Sequence, residues 1–410
     1  MENINNNDND GGEQEAQAEQ IARRQHQRQR KQERQRKFKK VNSILKKHGK
    51  FPVQNRNSID ELVDRFLEEV EDSVHDLLCN NDVDADNYRG LDSDRDTEAE
   101  VETAIRFFPE VLSRREDRFD EYPIQLLPCL YGDSAEDYRC NLKAVSFIPI
   151  VARLAVEFGM FEENERGGLL LEEDEGEDNR NTLQLLVRSS NFYTFKNTDT
   201  EHNELVDDKY LQVLIHLRKL GLFIKEDIQR YELLNRLCNE DHFAKKRFHF
   251  LSQWDPNALT HPVSLHLHFF VHNPKASIQI FKATFKAGMF FFPKKKGIHL
   301  LFQKDTIGRT PYKIACASYD QLFQKNTFHT PFYGSYASYG VHYASKSKGR
   351  DAVMEVIEST LSNCSDKPDN FVDAFLSAAV EKSISLDCVY FLLRRDPDML
   401  HKLRLDSTLD

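Results

Sequence analysis

The chain has 410 residues, 40% hydrophobic and 30% charged, with only 16 glycines, which supplies a sizeable apolar core and argues against a glycine-rich β protein. Its net charge of −11 is unevenly laid out: residues 21–50 hold thirteen Lys or Arg and one acid, Glu33, whereas residues 60–104 hold seventeen acids and three arginines. The seven cysteines are scattered without a C-x-x-C pair, no apolar run is long enough to span a bilayer, and the first residues carry no secretory h-region. The expectation is therefore a cytosolic or nuclear protein with reduced, buried thiols and no membrane segment.

Residues 1–20 are rich in Asn, Asp, Gln and Glu, offer almost nothing to bury, and are expected to be disordered. The basic arm at 23–40 follows, with Arg28, Arg30, Lys31, Arg34, Arg36, Lys37, Lys39 and Lys40 as its core. Four readings stand for it: contact with nucleic-acid phosphates, a nuclear-import signal, an intramolecular partner for the acidic block, or a solvated tail. An amphipathic helix is predicted over 58–79, with Ser58 as N-cap, Glu61 as capping-box partner, and Leu62, Phe66 and Val70 on its stripe. An acidic stretch at 82–98 and a helix over 96–114 follow. Asp82, Asp84 and Asp86 imitate the start of a calcium loop, but Asn87 replaces its glycine and Ser93 its bidentate glutamate, so a solvated linker is expected.

From about 120 onward, apolar segments alternate with polar breaks. The predicted helices are 142–158, 181–189, 205–220, 226–239, 242–254, 276–287, 350–362, 370–381 and 385–394, with an exposed loop at 162–178. Residues 264–272 have a strand-like texture but are assigned to a helix by their place in a repeat. That repeat rests on two similar stretches, Phe250–Leu259 and Phe391–Leu400, each an apolar helix end followed by Asp-Pro. Helix ends near Trp254, Gly288, Leu361 and Arg394 give outer steps close to the ankyrin period of about 33 residues. Asp305–Ala315 resembles an ankyrin helix start: Gly308 suits the turn, Thr310 caps, Pro311 takes the first helical position, and Ala315 permits close packing, while Tyr312 and Lys313 depart from the usual Leu-His pair. The aromatic segment 319–349 interrupts the pattern. It reads as a stacking surface for single-stranded bases, a low-complexity loop, or a mis-spliced insert, since Ala317-Ser318-Tyr319 recurs as Ala337-Ser338-Tyr339.

The segments Arg89–Glu98, Val101–Pro109, Lys143–Pro149, Asp207–Val213 and Pro293–Gly297 resemble signature stretches of a large family of ankyrin-like proteins known from diatom genomes. The resemblance covers about 89–404. It implies a divergent helical-repeat fold and carries no activity; 260–275 and 319–349 depart from the pattern.

The fold class expected is all-α, a helical-repeat solenoid of ankyrin-like helix pairs behind a disordered, charged arm. Its divisions are 1–57, an acidic helical region at 58–119, irregular helix pairs at 120–225, and repeats at 226–404. No nucleotide-binding or nucleophile-elbow motif occurs, and the grouping of His261, His266, His268 and His272 lacks the glutamate of a zinc-protease helix. No catalytic residue, cofactor or metal is assigned. The function expected is a non-catalytic scaffold for a protein partner, contacted through Lys294, Lys295, Lys296, Arg309 and Lys313. Nucleic acid is the second partner class, through 23–40.

Overall fold

The computed structural model describes residues 36–37, 39–84, 86–118, 120–131, 138–171, 180–188, 200–238, 240, 242–260, 274–292, 295–304, 310, 312–313, 355–360, 375–376, 378–380, 384–395 and 397–398. The chain falls into two compact units, 1–73 and 74–410.

In the first unit, residues 36–37 are helical, α1 covers 39–46, and a 3-10 turn at His48–Lys50 leads to α2 (Val53–Cys79). Pro52 fits this helix start because its missing N–H costs no bond there, and its carbonyl accepts from the Arg56 N–H at 3.0 Å. This corrects the expected cap at Ser58, whose hydroxyl sits inside the helix and donates to the Gln54 carbonyl at 3.1 Å. His48 Nε2 lies 2.9 Å from Asp60 Oδ1, so the chain turns back between α1 and α2. From Val74 onward α2 belongs to the second unit, where Val74, His75, Leu78 and Cys79 are buried.

The second unit is mostly helical. The expected helix at 96–114 is two elements: α3 (Glu98–Phe107), opened by a Thr97–Glu100 capping box, and a 3-10 turn at Pro109–Ser113. Pro109 is the cause, because its ring cannot continue the α-helical ladder. After the short α4 (Pro123–Leu126), two strands pair antiparallel, β1 (Cys129–Tyr131) with β2 (Tyr138–Cys140), Cys129 opposite Cys140. They are a small addition to a mostly helical unit; three residues are too few for an alternating pattern to be read. α5 (Ile148–Phe158) follows a 3-10 turn and ends on Gly159 in the left-handed conformation. It buries Ile148, Ile150, Val151 and Leu154, each contributing about 1.5–3 kcal/mol on full burial.

Part of the expected exposed loop at 162–178 is packed instead. Gly167 (φ 70°) and Gly168 (φ 87°) turn the chain inward and bury Leu169 and Leu170. A Cβ on Gly167 would lie 2.3 Å from the Ala152 carbonyl oxygen, so the backbone approaches α5 as only glycine permits. The acidic stretch at 82–98 is likewise no simple linker, since Tyr88 and Leu91 are buried within it.

α6 (Thr182–Leu185) and α7 (Thr200–Lys219) come next. The single helix expected over 226–239 is α8 (Lys225–Arg230) and α9 (Leu233–Cys238), broken where Glu232 takes φ 51°. α10 (Lys245–Trp254) runs into a 3-10 turn at Pro256–Thr260. α7 packs against α5 and α10, α10 against α9, and α3 against α5. Trp254 closes this group edge-on to Phe223, ring centroids 4.8 Å apart, under the Arg218 guanidinium.

α11 (Pro274–Phe291) passes the expected end near Gly288, so the first step of the proposed period is longer than the sequence reading has it. α11 packs on α12 (Lys295–Phe302), and α12 on α13 (Leu386–Arg395). Phe281, Phe285, Ile298, Leu301, Phe302, Cys388 and Leu392 form their shared core. Thr310 is buried and its hydroxyl accepts from the Lys313 N–H at 3.3 Å, the N-cap bond its motif calls for. The strand-like stretch at 264–272 and the insertion 319–349 lie outside the described residues. Among the described residues no helix is long and apolar enough to cross a membrane.

Candidate functional site

Three of the segments behind the family resemblance meet around α7. Its sequence places Val206, Tyr210, Val213, Leu214 and Leu217 on one buried stripe, and Asp207 sits beside that stripe, buried as well. One Asp207 carboxylate oxygen accepts from the Lys246 N–H at 2.8 Å, and the other from the Arg247 N–H at 3.2 Å and Arg247 Nε at 3.0 Å. Asp207 thus caps the start of α10 from a neighbouring helix, a favourable place for a negative charge. Arg247 is 0% exposed and donates through Nη1 to the carbonyls of Leu186 (2.8 Å) and Arg188 (2.6 Å). Among the described residues its Nη2 has no hydrogen-bond partner. Its guanidinium lies over the Tyr210 ring, 5.3 Å from the centroid.

Tyr210 continues the network toward the strands. Its hydroxyl donates to the Pro128 carbonyl and reaches the Cys140 thiol. Burial raises the Tyr210 phenol well above its usual range. Burial also raises the Cys129 and Cys140 thiols, in Cys140 against the opposing pull of Arg247. One residue before Tyr210, the Lys209 ammonium donates to the Leu142 carbonyl at 2.9 Å and lies 3.4 Å from Ser93 Oγ. Lys143 in turn sits 3.2 Å from Asp92 and 4.8 Å above the Tyr88 ring. Burial pushes the Asp92 carboxyl up, but the Asp94 amide and Lys143 outweigh it and hold the group below the usual carboxylate range. Buried charges are costly unless paired, and the buried Asp207–Arg247 pair holds α7 to α10.

The sequence reading missed a second arrangement, His75 and Cys79 on one face of α2. His75 Nε2 lies 3.4 Å from Cys79 Sγ and 3.1 Å from the Arg114 carbonyl. A thiol beside an imidazole is the layout of an activated nucleophile. The environment opposes that use: burial first, then Glu116 and Asp76, pushes the thiol up to about 12, so it stays protonated near neutrality. The His-x-x-x-Cys spacing was the available signal.

Of the residues singled out from sequence, Lys294 and Arg309 lie outside the described residues. Lys295 and Lys296 open α12, with side chains outside the described set. Lys313 is exposed and pairs with Asp387 on α13 at 3.1 Å. On either side of Asp387, Leu386 and Tyr390 are 64% and 70% exposed, one helical turn apart. In the basic arm, Arg28, Arg30, Lys31 and Arg34 lie outside the described residues, while Arg36, Lys37, Lys39 and Lys40 are helical and exposed. The histidines at 261–272 are outside as well. The calcium-like loop uses its carboxylates internally: Asp82 accepts from the Asp84 N–H and Asp84 from the Asp86 N–H. Among the described residues no group of three or more His, Cys, Asp or Glu side chains is arranged to hold a metal.

No protein-family model matches the chain, and comparison with curated proteins and with solved structures returns no significant match either.

Proposed function

We propose that the chain is a non-catalytic scaffold of ankyrin-like helix pairs that binds a protein partner through its C-terminal helices. The observation that carries this reading is the patch on α13, where Leu386 and Tyr390 stand exposed beside the Lys313–Asp387 pair. The opposite face of the same helix supplies Cys388 and Leu392 to the core, so the patch rests on a packed support. A tyrosine and an aliphatic side chain with a charged rim are the composition of an interface centre. A photo-crosslinking residue placed at Tyr390 should capture a defined partner, and Leu386→Asp should abolish the capture while leaving helicity unchanged. No defined partner at Tyr390, or capture that survives Leu386→Asp, overturns the reading.

A second reading, nucleic-acid association through 23–40, is favoured by the exposure of Arg36, Lys37, Lys39 and Lys40. Binding should then fall steeply with added salt and vanish when residues 1–50 are deleted. Retention of binding after that deletion excludes the arm.

A further inference from the structure

The first unit carries an apolar stripe that its own fold leaves open. On α2, Ile59, Leu62, Val63, Phe66, Leu67 and Val70 stand at i, i+3, i+4, i+7, i+8 and i+11, the spacing of a helix that faces a core. Yet Leu62 is 62% exposed and Phe66 60%, and Leu67 is exposed too. On α1, Val41 and Leu45 are one turn apart and both exposed. Packing between α1 and the 53–73 part of α2 buries none of these side chains fully, so it does not account for such a stripe.

The charges beside the stripe specify what fits it. Residues 36–50 contain seven Lys or Arg and no acid, while α2 from 53 to 73 contains seven acids and two arginines. By helical geometry Lys40 and Lys46 flank the Val41–Leu45 edge on its two sides, and Asp64 and Glu69 flank the α2 stripe in the same way. A surface holding a basic apolar helix next to an acidic apolar helix is complementary to itself. In a two-fold arrangement α1 of one copy lies on α2 of the other, twice over, and both stripes are covered. We propose that residues 36–73 form a self-association module whose partner is a second copy of this chain, with Leu62 and Phe66 at the centre of the interface. This surface is independent of the α13 patch.

The test is the mass of the full chain by sedimentation velocity across a concentration series, at low and high salt. The expected result is a dimer whose dissociation constant rises with salt. Leu62→Asp with Phe66→Asp should raise that constant by roughly tenfold or more with an unchanged circular dichroism spectrum, since both side chains are exposed. K40E with K46E should weaken the dimer, as should D64K with E69K. All four together should restore it, a recovery that a fold defect would not produce. A chain that stays monomeric at tens of micromolar, a dimer indifferent to Leu62→Asp and Phe66→Asp, or a four-fold variant that fails to recover overturns the proposal. A monomer would leave the stripe to a partner of another kind.

Discussion

Removing the Asp207 carboxylate should cost about as much as a single substitution can cost in this protein. In Asp207→Ala, the fully buried Arg247 keeps its charge and its two carbonyl acceptors but loses its counter-ion. Leaving such a charge unpaired costs about 3–5 kcal/mol. The same substitution strips the Lys246 and Arg247 N–H groups of the acceptor that caps α10, a loss of about 1 kcal/mol. The two losses share one carboxylate, so about 3–5 kcal/mol is the expected total, a large fraction of a domain's usual stability of about 5–15 kcal/mol. Trp254, the only tryptophan of the chain, sits at the far end of α10 and reports on the docking of that helix in urea unfolding. Adding Arg247→Met to Asp207→Ala removes the stranded charge and should recover much of the loss, because no ion is then left buried without its counter-ion. A cost under about 1 kcal/mol, or a double variant as unstable as the sum of the singles, would refute the claim that this pair locks α10 to α7.

Three further outcomes follow from the same network and its surroundings. Burial, with help from Arg247, lowers the His242 pKa below its usual 6.5, against the opposing pull of Asp207 and Glu204. The unfolded chain then binds the proton more readily, so this contribution is complete above about pH 6.5 and is lost as pH falls through the folded value. Denaturation midpoints should drop over that window, and His242→Gln should flatten the slope there. Gly167→Ala should destabilise by about 1–3 kcal/mol in the same urea titration, because φ 70° is strained for alanine and its Cβ would press on the Ala152 carbonyl; a neutral result would contradict the close approach. Cys79 and Cys388 are pushed up to about 12 and Cys129, Cys140 and Cys238 are also raised, burial being the first cause in each. Peptide mapping after brief alkylation at pH 8 should find these five thiols unmodified until denaturant is added.

Local punctuation was legible in the sequence wherever one residue type has one backbone use. Thr310 caps, Gly159 terminates, and the helix ends before Pro256 and Pro397 fall where those prolines require; Pro109 was passed over, and a single helix was expected across it. Ser58 misled because serine serves equally as a cap and as a helix-interior donor to the preceding turn, and Pro52 was the stronger signal. The hairpin of β1 and β2 gave no warning, its strands being shorter than one full alternation. The stripe on α2 was read as amphipathic, which is correct, but periodicity says only that a face is apolar and not whether anything covers it.

The Asp207–Arg247 pair shows why the polar site lay beyond the sequence. Its two residues are forty positions apart, and each type is ordinarily a surface residue, so nothing local marks either as buried. What was visible was the unusual texture of the segments themselves: charged residues set among apolar ones at 89–98, 143–149 and 207–213. Taken singly, each reads as a solvated face. Taken together in space, Asp92 holds Lys143, Lys209 reaches Leu142 and Ser93, and Asp207 holds α10. Apolar side chains of the same volume in place of Asp207 and Arg247 would be no less stable, because desolvating those two ions offsets most of their attraction. What directional bonds add is register. These donors meet their acceptors on neighbouring elements, and a helix shifted by a turn would strand them. The short, interrupted helices of this unit have little length with which to fix their own alignment, and the buried polar contacts supply it.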